Sequence, residues 1–80
     1  MRIEVRLYAT LADAYSNRAA GLPQFFTVKD KTTLRDLFQR LHIPVQHVQL
    51  AIINGRVVHE YSEPLAEGDR IALFPPIGGG

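Results

Sequence analysis

Leu34, Leu37, Phe38 and Leu41 fall at i, i+3, i+4 and i+7, a single helical stripe that asks for an apolar surface to lie on. Only Leu11, Ala14 and Tyr15 offer a second stripe, and it is one turn long. One amphipathic helix can cover one face of one sheet. The chain is therefore expected to fold as a two-layer α+β domain. Thr32 or Thr33 caps the helix, and Thr33 with Asp36 has the spacing of a capping box. Pro44 is expected to end it, because the residue before a proline resists the α region.

The strands read as follows. Met1 to Ala9 alternates, with Ile3, Val5 and Leu7 on one face and Arg2, Glu4 and Arg6 on the other. Thr10, three residues before Asp13, reads as the N-cap of a short helix that Gly21 stops. Gln24 to Val28 is β-branched and aromatic, a second strand, and Lys29-Asp30-Lys31 is a polar turn. Leu50 to Ile53 is apolar without alternation, which suits a strand covered on both faces or lying beside a partner surface. Asn54-Gly55 calls for a type I′ hairpin returning through Arg56-Val57-Val58. After a loop from His59 to Glu63 and a short turn at Pro64-Leu65, Glu67-Gly68-Asp69 turns into a last strand, Arg70 to Phe74. The first and last strands are the most regular and belong near the middle of the sheet. If Ile71 and Leu73 face the helix, Ala72 and Phe74 face outward, and Phe74 beside Ile77 makes an exposed apolar spot.

Beyond Phe74 the sequence is Pro75-Pro76-Ile77-Gly78-Gly79-Gly80. The prolines fix φ and cannot donate to a ladder, so a domain spanning residues 1–74 is expected to give way to a flexible tail, residues 75–80. Six extended residues reach roughly 20 Å at about 3.1–3.3 Å each. Glycines without a Cβ can thread a channel too narrow for other residues and present the carboxylate of Gly80 with nothing beside it. That carboxylate is the expected reactive group, with Phe74 to Gly79 as its partner-binding surroundings.

Composition narrows the chemistry. Cysteine is absent, which excludes disulfides, thiolate nucleophiles and cysteine-ligated metals. His42, His47 and His59 match no ligand spacing, and Ser16 and Ser62 have no neighbouring base, so neither a metal site nor nucleophilic catalysis is expected. No helix follows Gly78-Gly79-Gly80 to make a phosphate loop. A net charge of +1 without clustered lysine or arginine argues against nucleic-acid binding. No apolar run nears the ~20 residues of a membrane span and no leader pattern opens the chain, so a cytoplasmic location is expected.

This order of elements, the Glu67-Gly68-Asp69 turn and the ending Phe-Pro-Pro-Ile-Gly-Gly-Gly resemble the MoaD/ThiS family of ubiquitin-like sulfur carriers, and within it the small subunit of molybdopterin synthase. The resemblance implies a β-grasp fold, a mixed sheet of about five strands with one main helix on one face. It implies an E1-like adenylating enzyme that uses ATP and magnesium on Gly80, conversion to a thiocarboxylate, and delivery of sulfur to an acceptor such as a molybdopterin synthase large subunit. The carrier itself holds no permanent cofactor and supplies no catalytic side chain; it acts as a co-substrate. One difference lies in the first loop, where Tyr8-Ala9-Thr10-Leu11 is followed by Ala12 instead of the arginine common in that subunit, and which runs longer, to Gly21. The same exposed Gly-Gly also suits a ubiquitin-like protein modifier, or a ThiS-type carrier for thiamine, cysteine or methionine synthesis or tRNA thiolation. A binding-only domain with an inert tail is the third reading.

Overall fold

A computed structural model describes residues 1–16 and 18–76. In chain order the elements are β1 (Arg2–Leu7), α1 (Thr10–Tyr15), β2 (Gln24–Thr27), α2 (Leu34–Leu41), a 3₁₀ turn (Val45–His47), β3 (Leu50–Ile53), β4 (Arg56–Val58) and β5 (Arg70–Phe74). The strands form one mixed sheet in the order β2-β1-β5-β3-β4. β1 and β5 run parallel and every other pair is antiparallel. The last strand is thus central and the first is its neighbour, as their regular alternation predicts.

Register explains why the alternation matters. Val5 lies opposite Ile71, Leu7 and Ala51 both lie opposite Leu73, and Ile3 opposite Phe26. These rows point at the helix side, where Ile3, Val5, Leu7, Ala51, Ile71 and Leu73 are buried with Leu34, Leu37 and Phe38 of α2. Phe38 meets Tyr61 edge-to-face at 5.3 Å, so the loop before β5 closes one side of the core. Leu65 N–H donates to Thr32 O at 2.8 Å and buries its own side chain there, which ties that loop to the start of α2.

The start of α2 is as the spacing predicts. Asp36 N–H donates to Thr33 Oγ1 at 3.1 Å, and Thr33 N–H donates to Asp36 Oδ2 at 3.0 Å. The bond from the Thr33 backbone, then the one involving its side chain, hold the Asp36 carboxyl below its usual pKa. The end of α2 differs from expectation. His42 adopts the left-handed conformation at φ 61° and returns its N–H to Gln39 and Phe38 O, so the helix closes before Pro44, which instead opens the 3₁₀ turn.

The first helix also differs. Thr10 is its first helical residue and not its cap; Ala9 stands at the N-cap with φ 52° and ψ −132° and makes no side-chain bond. Leu11 N–H donates to Tyr8 O at 3.1 Å, so the strand turns directly into the helix with Ala9 in a corner that type II′ turns reserve for glycine. The buried residues are Leu11 and Ala12, not Ala14. Gly21 lies six residues beyond the end of α1, where it returns the chain toward β2 instead of stopping the helix. The Ala9 conformation costs about 1–3 kcal/mol for a residue with a Cβ, and the gain from relieving it with glycine is offset in part by the backbone entropy of glycine. Ala9→Gly is accordingly expected to stabilise the fold by about 1 kcal/mol, read as a higher urea midpoint at unchanged slope.

Asn54 and Gly55 take φ 52° and 83°, the positive values a type I′ turn demands. The Asn54 side chain adds a second function. Its Nδ2 donates to Asp69 Oδ1 and its Oδ1 accepts from Arg70 N–H, both at 2.9 Å, so the β3–β4 hairpin is stitched to the turn that starts β5.

Candidate functional site: the root of the tail

β5 stays paired to its last residue. Gln49 N–H donates to Phe74 O at 2.8 Å, and Tyr8 N–H donates to Leu73 O at 3.2 Å. Pro75, half-buried, and Pro76, exposed, follow at once, and neither has an N–H with which to continue the ladder. The sheet therefore ends at the residue where the proline spacer begins. Ile77, Gly78, Gly79 and Gly80, also expected in the site, lie outside the described residues.

Phe74 points away from the helix, as its register opposite Leu50 requires. It is not the bare apolar spot expected from the sequence. The Tyr8 ring stacks on it, with centroids 4.5 Å apart and planes within 10°, and Phe74 is half-buried. Tyr8 is the residue that sequence reasoning missed. The signal was present: it continues the outward row of Arg2, Glu4 and Arg6, and parallel pairing of the first strand with the last brings that row beside Phe74.

The open face of the sheet continues from this stack. Leu50, Ile52 and Ala72 are half-covered and Val57 is 50% exposed, and cross-strand pairing sets them side by side. This resolves the unalternating run in β3: Ala51 faces the core while Leu50 and Ile52 face outward. An apolar strip on an uncovered sheet face is a surface suited to a partner. Arg6 and Arg70 flank it, with Arg2 farther along the first strand. Arg6 Nε pairs with Glu4 Oε2 at 2.9 Å, which raises its already high pKa and keeps it charged. Glu4 thus offsets Arg6 on the rim, and the remaining positive charge there comes from Arg70 and Arg2.

Among the described residues the site holds no catalytic constellation. No three metal-ligating side chains cluster, and His47 Nδ1 shares a hydrogen bond with the Tyr15 hydroxyl at 2.9 Å. Ser16 Oγ accepts from Arg18 N–H and Gln24 Nε2, a loop-shaping role. No described helix is long and apolar enough to cross a membrane.

The fold is shared with solved structures. SAMP1 from Haloferax volcanii matches with a TM-score of 0.73 at 24% identity, over 100% of both chains. A Pyrococcus furiosus chain assigned as molybdopterin converting factor, subunit 1, matches with a TM-score of 0.71 at 17% identity, over 96% of this chain and 99% of that one. A chain from the complex of subunits 1 and 2 of the molybdopterin-converting factor of Helicobacter pylori matches with a TM-score of 0.62 at 26% identity, over 100% of both. These neighbours share the ubiquitin-like β-grasp, a five-stranded mixed sheet with a helix on one face. No curated protein matches the sequence. The ThiS family matches from residue 5 to residue 80, taking in the sheet, the helix, both prolines and the three glycines, and to that family of ubiquitin-fold carriers and modifiers the chain belongs.

Proposed function

We propose that this protein is a sulfur carrier. The Gly80 carboxylate is adenylated by an E1-like enzyme using ATP and magnesium, converted to a thiocarboxylate, and delivered into an acceptor enzyme of the molybdopterin synthase type. One observation carries the reading: the family match runs through residue 80, and in the structure the segment leading there leaves the central strand through two prolines. The chemistry is consistent with a cysteine-free chain. A carboxylate with pKa about 3.3–3.7 is ionised at neutral pH and a poor electrophile. Adenylation gives it a leaving group; displacement of AMP by a sulfur donor leaves a nucleophilic thiocarboxylate. Support for a molybdopterin-type acceptor comes from the Helicobacter pylori chain, which occurs in a complex of two subunits.

Incubation with an E1-like adenylating enzyme, ATP, magnesium and a sulfur donor, followed by intact mass spectrometry, tests this. Replacement of one oxygen by sulfur at the terminus is the expected result. Adducts on lysines of other proteins, without sulfur, would identify a protein modifier instead.

The acceptor and the activating enzyme should both use the face around Phe74. Phe74→Ala is expected to weaken binding by about 2 kcal/mol, roughly thirtyfold, as an interface anchor does. Loss of the Tyr8 stack should lower stability by only about 1 kcal/mol. Titration calorimetry against the adenylating enzyme, beside a thermal melt, separates the two effects; a large melting shift with unchanged affinity contradicts the assignment.

A further inference from the structure

Tyr8 is held more firmly than a surface aromatic needs to be. Its N–H is bonded to Leu73 O and its carbonyl accepts from Leu11 N–H, so both sides of its backbone are fixed. Behind the ring sits Gly21 at φ +81°, so close that a Cβ there would stand 3.2 Å from Tyr8 Cε1. Gly21 is in turn anchored, its N–H donating to Leu7 O at 2.8 Å and its carbonyl accepting from Arg6 Nη1 at 3.3 Å. The strained Ala9 follows directly and lets the chain turn away without moving the ring. The end of this chain of contacts is the stack on Phe74, the last residue before Pro75.

Direction is what such an arrangement controls. With φ fixed at Pro75 and Pro76, the direction in which this two-proline spacer leaves the sheet is set largely by how Phe74 is held. A tilt of about 10° at Phe74 moves the far end of that spacer, roughly 6 Å away, by about 1 Å. Where that direction is not set beforehand it has to be ordered on binding, which lowers affinity and leaves the geometry of the bound state unchanged. Gln49 holds the Phe74 carbonyl from one side, and the only aromatic stacked on its ring among the described residues is Tyr8.

We infer that Tyr8 is a positioning residue that braces Phe74 against the loop at Gly21 and so sets where the two-proline spacer leaves the sheet before any partner is met. The inference rests on the carrier reading and adds to it a residue that never touches the reacting atoms. Two amides supply an internal control for hydrogen exchange, since both bond to β5, one at each end: Gln49 to Phe74 O and Asn54 to Arg70 O. In Tyr8→Ala, protection of Gln49 is expected to fall about tenfold with Asn54 unchanged, as befits local and not global opening. In ATP–pyrophosphate exchange with an E1-like adenylating enzyme and the carrier as varied substrate, Tyr8→Ala should raise KM about tenfold and leave kcat within about twofold, because pre-organisation is what is lost. Tyr8→Phe keeps the stacked ring and should restore both values.

Equal loss of protection at both amides, no loss at Gln49, or failure of Tyr8→Phe to restore KM would each overturn the brace. If the wild-type chain supports exchange with a KM indifferent to Tyr8, the brace alone is refuted. If the wild-type chain supports no exchange, the carrier reading falls, and the brace loses its purpose with it.

Discussion

Deletion of Gly79 and Gly80 is expected to abolish activation while leaving the fold intact. The shortened chain still ends in a glycine carboxylate, that of Gly78, so the reacting group is chemically unchanged. What is lost is about 6–7 Å of reach, enough to hold the carboxylate outside the activating site. The rate of adenylate formation should drop by a factor on the order of 10³ or more, as expected when a reacting group is removed from its near-attack position. Melting temperature should not move, because no core residue lies beyond Leu73 among the described residues. ATP–pyrophosphate exchange and a thermal melt on the same sample check both halves. Gly79→Val keeps the length and adds a branched side chain, so its failure would localise the fault to a narrow channel and not to reach. Normal exchange by the shortened chain would end the case for Gly80.

The largest loss of stability is expected from Phe38→Ala. Phe38 is 2% exposed, lies at the centre of the α2 face and packs edge-to-face on Tyr61. Truncation of a buried Phe costs about 3–5 kcal/mol, through lost transfer energy and the cavity left behind. Domains of this size hold about 5–15 kcal/mol in total, so the variant sits near the edge of folding. A fall in melting temperature of roughly 12–40 °C follows from about 4–8 °C per kcal/mol. Calorimetry reads it directly. A loss under about 1 kcal/mol would mean that the helix and the Tyr61 loop close over the gap, and that α2 is less tightly seated than its burial indicates.

The parts of the fold that were legible in the sequence are those fixed by local chemistry with one outcome. Alternation in β1 and β5, the stripe of α2, the capping box and the Asn54-Gly55 turn each leave a residue pattern that competing structures cannot share. The boundaries that went astray depend on a tertiary choice. Thr10 has the composition of a cap, but Ala9 takes that place because Tyr8 is tied to β5 and the chain has to turn at once. Pro44 was a sound reason for a helix to end; His42 supplies an earlier one by entering the left-handed region, where its N–H can reach two carbonyls. At the site, β5 ends at Phe74 and that side chain faces away from the helix, as the alternation predicts, but Tyr8 covers it. Tyr8 stayed hidden because stacking across a parallel pair depends on register, and register between strands more than sixty residues apart has no local mark.

The parallel pairing of β1 with β5 has a further consequence, for the order in which the molecule becomes usable. The first strand made waits beside an empty place at the middle of the sheet until the last strand is synthesised, since β3 and β1 meet only through β5. Closure across so long a stretch is slow compared with helix formation, on the scale of milliseconds to seconds. A ribosome that stalls before Arg70 therefore releases two disconnected strand pairs and no finished sheet. The sheet face around Phe74 is thus complete only in molecules that have passed the final step of their own assembly, because the strand that carries Phe74 is also the one that joins the two pairs.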